Sequence, residues 1–326
     1  MTAITELVEE ESSTGVRTLD EATFTNLLHR LNDQSIRPGK HFDAYVDVPW
    51  DEYTIEPTDP RWELGPNDAL GATAWYQSQP QEVRGAIGIH MVASKASVGY
   101  FFEGVLKRGL LEHSTTLPAG SPELRYVYHE VIEEAQHSLM FQEFVGRAGH
   151  GRVPKLPWDV ELGSRQVVRL ARTFPELFFI FVLGGEDPID HMQRETLRDK
   201  DAVIHPLLER IMRIHVTEEA RHLSFARHWL KQQVPGLNPV KKFILSMGAP
   251  LILGEMGGLM MKPSKEIIET YGIPDDVIRE AYTDNPEFQQ GAAVAMRKVR
   301  QLCRDLGLMN PVSTRLWKAK KIWAED

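Results

Sequence analysis

The stretches Glu134-Ala135-Gln136-His137 and Glu219-Ala220-Arg221-His222 decide the fold of this chain. In each, a histidine follows a glutamate by three residues, and each pair lies in the middle of a long segment whose sequence predicts a helix. Residues three apart lie on one face of a helix, so each pair can present a carboxylate and an imidazole to the same point. Two such helices provide part of a ligand set for two metal ions and require two further carboxylates to complete it.

Two further glutamates stand beside apolar runs in two other predicted helices. Glu103 follows Tyr100-Phe101-Phe102, and Glu186 follows Phe179-Ile180-Phe181-Val182-Leu183-Gly184-Gly185. A carboxylate buried without a partner is costly, and a bound metal removes that cost. In ferritin-like proteins with two iron or manganese ions, a glutamate comes from each of two helices and a Glu-x-x-His pair from each of the other two. The order of these residues therefore predicts an all-α, ferritin-like four-helix bundle with additional N- and C-terminal helices.

The six side chains that this pattern identifies as candidate metal ligands are Glu103, Glu134, His137, Glu186, Glu219 and His222. His215 lies four residues before Glu219 and seven before His222, which places it on the same stripe of the helix. It is either a third imidazole on the metals or a core histidine beside them. Carboxylate and imidazole ligands suit iron or manganese, and a chain with Cys303 as its one cysteine has no cysteine cluster for structural zinc.

Proline and glycine positions divide the chain into helices and loops. Residues 1–18 are polar and acidic and are predicted to form a flexible N-terminus, and residues 19–326 a single domain whose metal-binding bundle covers about 80–235. Pro188 predicts a kink or a break close to Glu186. The part from Asn238 onward is predicted to form three or four helices that pack on the bundle. The other predicted helices cover about residues 21–31, 81–113, 121–149, 164–173, 175–198 and 202–231.

Composition and charge argue against several classes of protein. The 326 residues are 42% hydrophobic and 25% charged, which is ordinary for a globular protein. A net charge of −9 argues against nucleic-acid binding, which needs a basic surface. The single cysteine and the lack of a basic, apolar leader predict a cytoplasmic protein. Residues 243–261 are apolar and about as long as a membrane span, but Pro250, Glu255 and several glycines favour a buried helix or a pocket wall, so no span is expected.

Several residues near the candidate ligands are expected to support the ligands or to line a cavity beside them. Glu133 and Glu218 precede the ligand glutamates and are predicted to be solvated or to support the ligands from outside. Asp190, four residues after Glu186, is a candidate for orienting a ligand histidine if the helix continues through Pro188. The aromatic residues expected to line the core or a substrate cavity are Tyr100, Phe101, Phe102 and Phe141.

At these motifs the chain resembles the p-aminobenzoate N-oxygenase family of non-haem di-iron arylamine oxygenases. The resembling segments, between about residues 80 and 235, are Phe102-Glu103, Glu133-Glu134-Ala135-Gln136-His137, Gly185-Glu186 and His215-Val216-Thr217-Glu218-Glu219-Ala220-Arg221-His222. The resemblance implies that His215 joins the six ligands, that the cofactor is two iron ions or a mixed manganese–iron pair, and that O2 is a co-substrate. It also implies oxidation of a small organic substrate, for example N-oxygenation of an arylamine, with an external electron donor and a homodimer as one possible assembly. No residue dedicated to an arylamine or a carboxylate is identified.

Three other functions stay open at the level of sequence. A fatty-acyl desaturase or hydroxylase shares the ligand pattern, and residues 243–261 could line an acyl channel, although His215 favours the N-oxygenase family. A ferritin-like iron-binding protein without enzymatic activity usually has about half this length. A radical-generating protein like a ribonucleotide reductase small subunit carries a tyrosine where this chain has Phe141.

Overall fold

A computed structural model of the chain describes residues 10–11, 17–151 and 158–324, without the side chains of residues 10, 11, 17, 18, 159, 256–261 and 292. Near the N-terminus, Glu10–Glu11 pairs antiparallel with Arg17–Thr18. The remainder of the flexible N-terminus predicted for residues 1–18 lies outside the described residues.

Helices dominate the described residues, which confirms the predicted all-α, ferritin-like fold. Four long helices form the bundle, in which α3 (Gln81–Ser114) packs on α4 (Pro122–Arg147) and α6 (Pro175–Arg198) packs on α7 (Pro206–Gln233). The helices of the described residues are α1 (Glu21–Ser35), α2 (Ala74–Gln77), α3 (Gln81–Ser114), α4 (Pro122–Arg147), α5 (Trp158–Thr173), α6 (Pro175–Arg198), α7 (Pro206–Gln233), α8 (Pro239–Met261), α9 (Lys265–Tyr271), α10 (Asp275–Ile278), α11 (Pro286–Ala295), α12 (Arg297–Asp305) and α13 (Pro311–Ala319).

Local sequence sets where the bundle helices begin. Ser121 caps α4, because its Oγ accepts a hydrogen bond from the Leu124 amide at 3.1 Å and Pro122 occupies the first turn. Proline also occupies the first turn of α6 and of α7. Backbone amides in the first turn have no intrahelical acceptor, so proline costs no helical hydrogen bond there. The predicted starts of α3, α4 and α6 therefore agree with the observed ones to within one residue.

Pro188 does not interrupt α6, which runs from Pro175 to Arg198, so of the kink or break predicted near Glu186 the break is wrong and the kink stays a prediction. Proline removes one intrahelical hydrogen bond. Here the turns on either side of Pro188 are buried, from Val182 to Asp190 with only Ile189 partly exposed, and α6 packs against α7 and α8. Tertiary packing of this kind keeps a segment helical against its local preference.

The segment between α1 and α3 wraps the outside of the bundle and is held to α3 by two glycines. A Cβ on Gly85 would lie 2.1 Å from the carbonyl oxygen of Pro57, and one on Gly88 would lie 1.7 Å from that of Trp62. Only glycine allows a backbone to approach a helix this closely. The close approach buries the Trp62 side chain, which stacks on the ring of His205 at a centroid distance of 4.2 Å.

The C-terminal part contains more helices than the three or four predicted, because α8 to α13 are six separate segments among the described residues. They are not detached from the bundle. One buried hydrophobic cluster contains Phe24 of α1, Phe179 of α6 and Trp317 of α13. This shared core supports the single domain predicted for residues 19–326, which stays a prediction. Among the described residues, no helix has the length and apolar character needed to cross a membrane.

Candidate metal centre

The seven side chains predicted as metal ligands converge in the middle of the bundle, and each is at most 2% exposed. Six of them form overlapping groups of three whose potential ligand atoms lie within 4.8 Å of one another. His222 joins them through Nδ1, which lies 2.8 Å from Glu134 Oε1 and 3.1 Å from Glu219 Oε1. The contributions are Glu103 from α3, Glu134 and His137 from α4, Glu186 from α6, and His215, Glu219 and His222 from α7.

In each Glu-x-x-His pair the carboxylate and the imidazole lie side by side, as the helical spacing predicts. His137 Nδ1 lies 3.2 Å from Glu134 Oε2, and His222 Nδ1 lies 3.1 Å from Glu219 Oε1. His215 faces the same carboxylates, because its Nε2 lies 3.9 Å from Glu103 Oε1 and 3.9 Å from Glu219 Oε1. The structure thus places His215 with the other six, as the stripe along α7 suggested.

Burial and crowding of charge shift the pKa values in this cluster strongly. Burial raises the pKa of Glu103 and of Glu186 well above the ordinary range, and repulsion by neighbouring carboxylates adds to it. Burial acts on Glu134 in the same sense, but a hydrogen bond to Glu103 and the charge of His222 hold the pKa of Glu134 well below its usual value. Burial disfavours charge on His137, yet its bonds to carboxylates raise its pKa to about 10. Protons therefore balance the negative charge of this cluster when no cation is bound.

Glu133 and Glu218 are not solvated, which corrects one of their two predicted roles. Each is at most 1% exposed and contacts the candidate ligand histidine of the opposite helix. His137 Nε2 donates to Glu218 Oε2 at 2.9 Å, and His222 Nε2 donates to Glu133 Oε2 at 2.8 Å. A proton fixed on Nε2 leaves Nδ1 of each ring available to a metal, so Glu133 and Glu218 are placed to support the two candidate ligands from outside.

Replacing Glu218 with glutamine is expected to weaken binding of iron(II) by about 10- to 100-fold, because a neutral amide holds the His137 ring less firmly. Titration of the metal-free protein with iron(II) under anaerobic conditions measures this. Glu209→Gln, on the same helix and paired with Arg213 at the surface, is the matched control and should bind iron as the wild type does. Equal affinity in both variants would mean that Glu218 does not position His137.

Asp190 does not orient a histidine among the described contacts, so that candidate role is wrong. Its carboxylate accepts hydrogen bonds from Arg194 Nε at 2.8 Å. Arg194 Nη2 in turn donates to the carbonyl oxygen of Val216, beside His215. The continuous helix brings Asp190 and Arg194 together because they are four residues apart. Asp190 therefore helps to join α6 to α7 through Arg194.

Two titratable residues beside the centre, the buried Glu130 and the half-buried Lys107, were missed in the sequence. Glu130 lies one turn before Glu134, burial raises its pKa to about 8, and neither of its carboxylate oxygens has a hydrogen-bond partner among the described residues. Lys107 lies one turn after Glu103, and its Nζ donates to the Glu134 carbonyl and to Ser138 Oγ. Their spacing of four residues from a ligand is the signal that could have identified both.

A cavity of about 240 Å³ opens on one side of the centre, where Glu103, Glu186 and His215 contribute to its wall. Phe102 and Phe141 also line it, as predicted, whereas Tyr100 is exposed and neither Tyr100 nor Phe101 is among its lining residues. None of its lining residues comes from residues 243–255, the part of 243–261 whose side chains are described, so this part forms no wall of the cavity. The remaining lining residues are Val92, Lys95, Ala96, Val98, Gly99, Phe144, Gly185, Ile189, Met192, Gln193, Thr196, Leu208, Ile211 and Met212.

Close packing between α3 and α6 sets the spacing of two of the candidate ligands. A Cβ on Gly185 would lie 1.9 Å from Cζ of Phe102, so the phenyl ring occupies the space that any larger residue would need. Gly185 and Phe102 each directly precede a candidate ligand, Glu186 and Glu103. The Phe102–Gly185 contact thus holds these two carboxylates in the wall of the cavity.

Comparison with known proteins relates this arrangement to one family. The family model described as P-aminobenzoate N-oxygenase AurF matches residues 21–307, which include all four bundle helices. Similar proteins are Uncharacterized protein Mb0909 of Mycobacterium bovis and Uncharacterized protein Rv0885 of Mycobacterium tuberculosis. Each is 39% identical over 305 residues, which cover 93% of this chain and 88% of the relative. The chain therefore belongs to the p-aminobenzoate N-oxygenase AurF family of helical, ferritin-like di-iron proteins.

Proposed function

We propose that this protein is a non-haem di-iron oxygenase that uses O2 to oxidise a small organic substrate. The observation that carries the proposal is the juxtaposition of a buried cluster of carboxylates and imidazoles with a mostly apolar cavity on one side of it. Membership in the AurF family supports the same reaction class. We further propose N-oxygenation of an arylamine as the specific reaction.

The residues of the cluster fit a pair of divalent iron ions. Glu103 Oε2 and Glu219 Oε2 are buried and have no hydrogen-bond partner among the described residues, which is the condition that a bound cation relieves. The four carboxylates match the charge of two divalent ions, and oxygen and nitrogen ligands suit iron, with a manganese–iron pair as the alternative. The proposed ligands are Glu103, Glu134, His137, Glu186, His215, Glu219 and His222.

A bound iron pair would supply redox chemistry toward O2, and the protein's own residues do the rest. Glu133 and Glu218 fix the proton of each ligand ring on Nε2. Apolar side chains such as Phe141 and Ile211 exclude water from the space beside Glu103 and Glu186. The substrate is held in that space with its reacting group toward these two carboxylates.

The volume of the cavity favours a substrate with a single small ring over one with an acyl chain. A cavity of about 150 Å³ holds one benzene molecule, so 240 Å³ is suited to a substituted single ring. The acyl-channel hypothesis depended on residues 243–261, which do not line the cavity in their described part. Lys95, Gln193 and Thr196 are the polar residues of the wall apart from the candidate ligands, and they offer contacts to a substituent on the ring.

The experiment that tests the proposal combines metal analysis with product detection. The iron-loaded protein, a chemical reductant, O2 and a panel of arylamines should yield N-oxygenated products detectable by mass spectrometry. Ala96→Phe, which fills the cavity, should lose product formation but keep about two metal ions per chain. Full iron loading with no oxidised amine would contradict N-oxygenation, and no reaction of the reduced protein with O2 would contradict an oxygenase altogether.

Binding of iron(II) to the metal-free protein is expected to release protons. His137 has a pKa raised to about 10 and His222 one well above the ordinary value, so both are protonated at pH 7 without metal. Metal ligation needs the neutral ring, hence apparent affinity should rise as the pH increases from 6 toward 9. Calorimetry in buffers of different ionisation enthalpy counts the released protons, and a heat independent of the buffer would contradict the expected coupling.

A further inference from the structure

We propose that a basic cleft between α7 and α12 is the docking surface for an acidic iron–sulfur protein that delivers single electrons to the metal centre. This inference rests on the proposed function, because an oxygenase needs an electron source. The cleft has a volume of about 540 Å³ and is open to solvent. It is lined by Arg227, Lys231, Arg297, Lys298, Gln301, Leu302 and Asp305.

The charge of the cleft is opposite to that of the chain as a whole. Four of its lining residues are cationic and one, Asp305, is acidic, whereas the chain carries a net charge of −9. Arg297 and Lys298 are exposed on the first turn of α12. The negative chain as a whole repels an acidic partner, whereas the basic cleft attracts it. Opposite charge of this kind steers a partner toward the cleft and orients it there.

A hydrogen bond links the cleft to α6, the helix that carries Glu186. Arg227 Nη2 donates a hydrogen bond to Oδ1 of Asp187, which is buried below the cleft. Lys298 also lies close enough for its charge to act on Asp187. Asp187 is the residue after Glu186, so this hydrogen bond ties a residue of the cleft to the neighbour of a candidate ligand in the chain.

The reaction balance requires such a donor. Transfer of one oxygen atom from O2 to a substrate consumes two electrons and two protons and forms one water, and a one-electron carrier must dock twice to supply the electrons. The sequence contains no Gly-x-Gly-x-x-Gly segment of the kind that binds a dinucleotide cofactor after a strand. The cleft and the substrate cavity have no lining residue in common, so the donor and the substrate can be bound together.

The open shape of the cleft favours a protein partner over a small anion. Its outermost cations, Arg297 and Lys298, sit on long exposed side chains, which suit electrostatic contact with another surface. An enclosed anion site would instead use buried donors aimed at one point. We therefore assign the cleft to an acidic protein of the [2Fe–2S] class.

The test measures binding of a plant-type [2Fe–2S] ferredoxin, a small acidic carrier, to the iron-loaded full-length protein by calorimetry at low and high salt. The double variant Arg297→Glu/Lys298→Glu should weaken binding by about tenfold or more, since like charges then face each other. Arg37→Glu/Lys262→Glu makes the same change in net charge at two exposed positions outside the cleft, and it should bind within about twofold of wild type.

The outcomes separate the docking surface from the proposed function. No ferredoxin binding by the wild type, or equal weakening in both double variants, would overturn the surface even if a chemical reductant supports product formation. Ferredoxin binding that depends on Arg297 and Lys298 and weakens with salt would support it. If that binding is found but the iron-loaded protein forms no oxygenated product with any reductant, the oxygenase proposal fails and the docking surface stands.

Discussion

Replacing Glu134 with alanine is expected to lower the metal content from about two ions per chain to fewer than one, with the helical fold retained. Glu134 contacts both ligand histidines of the Glu-x-x-His pairs, with Oε2 3.2 Å from His137 Nδ1 and Oε1 2.8 Å from His222 Nδ1. Its loss removes the carboxylate that both rings face. Elemental analysis after iron loading measures the content, and circular dichroism measures the helix content.

Glu143→Ala is the matched control for this variant. Glu143 lies on the same helix, and its carboxylate pairs with Arg147 at the surface, so full iron loading is expected. The fold should persist in both variants because the large hydrophobic cluster of the bundle consists of residues other than the candidate metal ligands. Normal metal content in Glu134→Ala and also in His222→Ala would show that the cluster does not bind metal.

The candidate ligands could be predicted because their arrangement depends on helical spacing within short segments. Glu134 and His137 share a helix face at a spacing of three residues, whatever the rest of the chain does. The role of Glu218 depends on how α4 faces α7, since it holds a histidine 81 residues away. No local pattern gives that pairing. The pair of adjacent glutamates before each candidate ligand histidine was the one indication of this pairing in the sequence.

Other features of the structure could not be predicted because they depend on packing between segments that are distant in the sequence. The break expected at Pro188 assumed that local preference decides, but α6 is buried among neighbouring helices and stays continuous. The basic cleft joins Arg227 to Arg297, which are 70 positions apart, so neither segment alone predicts it. The apolar character of 243–261 was visible, but the sequence could not say that α8 packs on α6 and away from the cavity.

Replacing Gly88 with alanine is expected to destabilise the protein by roughly 2–4 kcal/mol, because a backbone segment must move to admit one methyl group. The new Cβ would lie 1.7 Å from the Trp62 carbonyl oxygen and 2.8 Å from its carbon. A backbone cannot rotate away as a side-chain end can. Displacing Trp62 also weakens its contacts with His205 and Phe144, and Phe144 lines the cavity.

Gly104→Ala, on the same helix, is expected to change the stability of the protein in the opposite direction. A Cβ at Gly104 meets nothing within 4 Å, so the substitution should stabilise the chain by about 0.5–1 kcal/mol through the lower entropy of its unfolded state. Thermal or urea unfolding monitored by circular dichroism measures both variants. If Gly88→Ala unfolded at the wild-type midpoint, the segment around Trp62 would not be held against α3 by this close approach, and the wall of the cavity that rests on Trp62 would need another support.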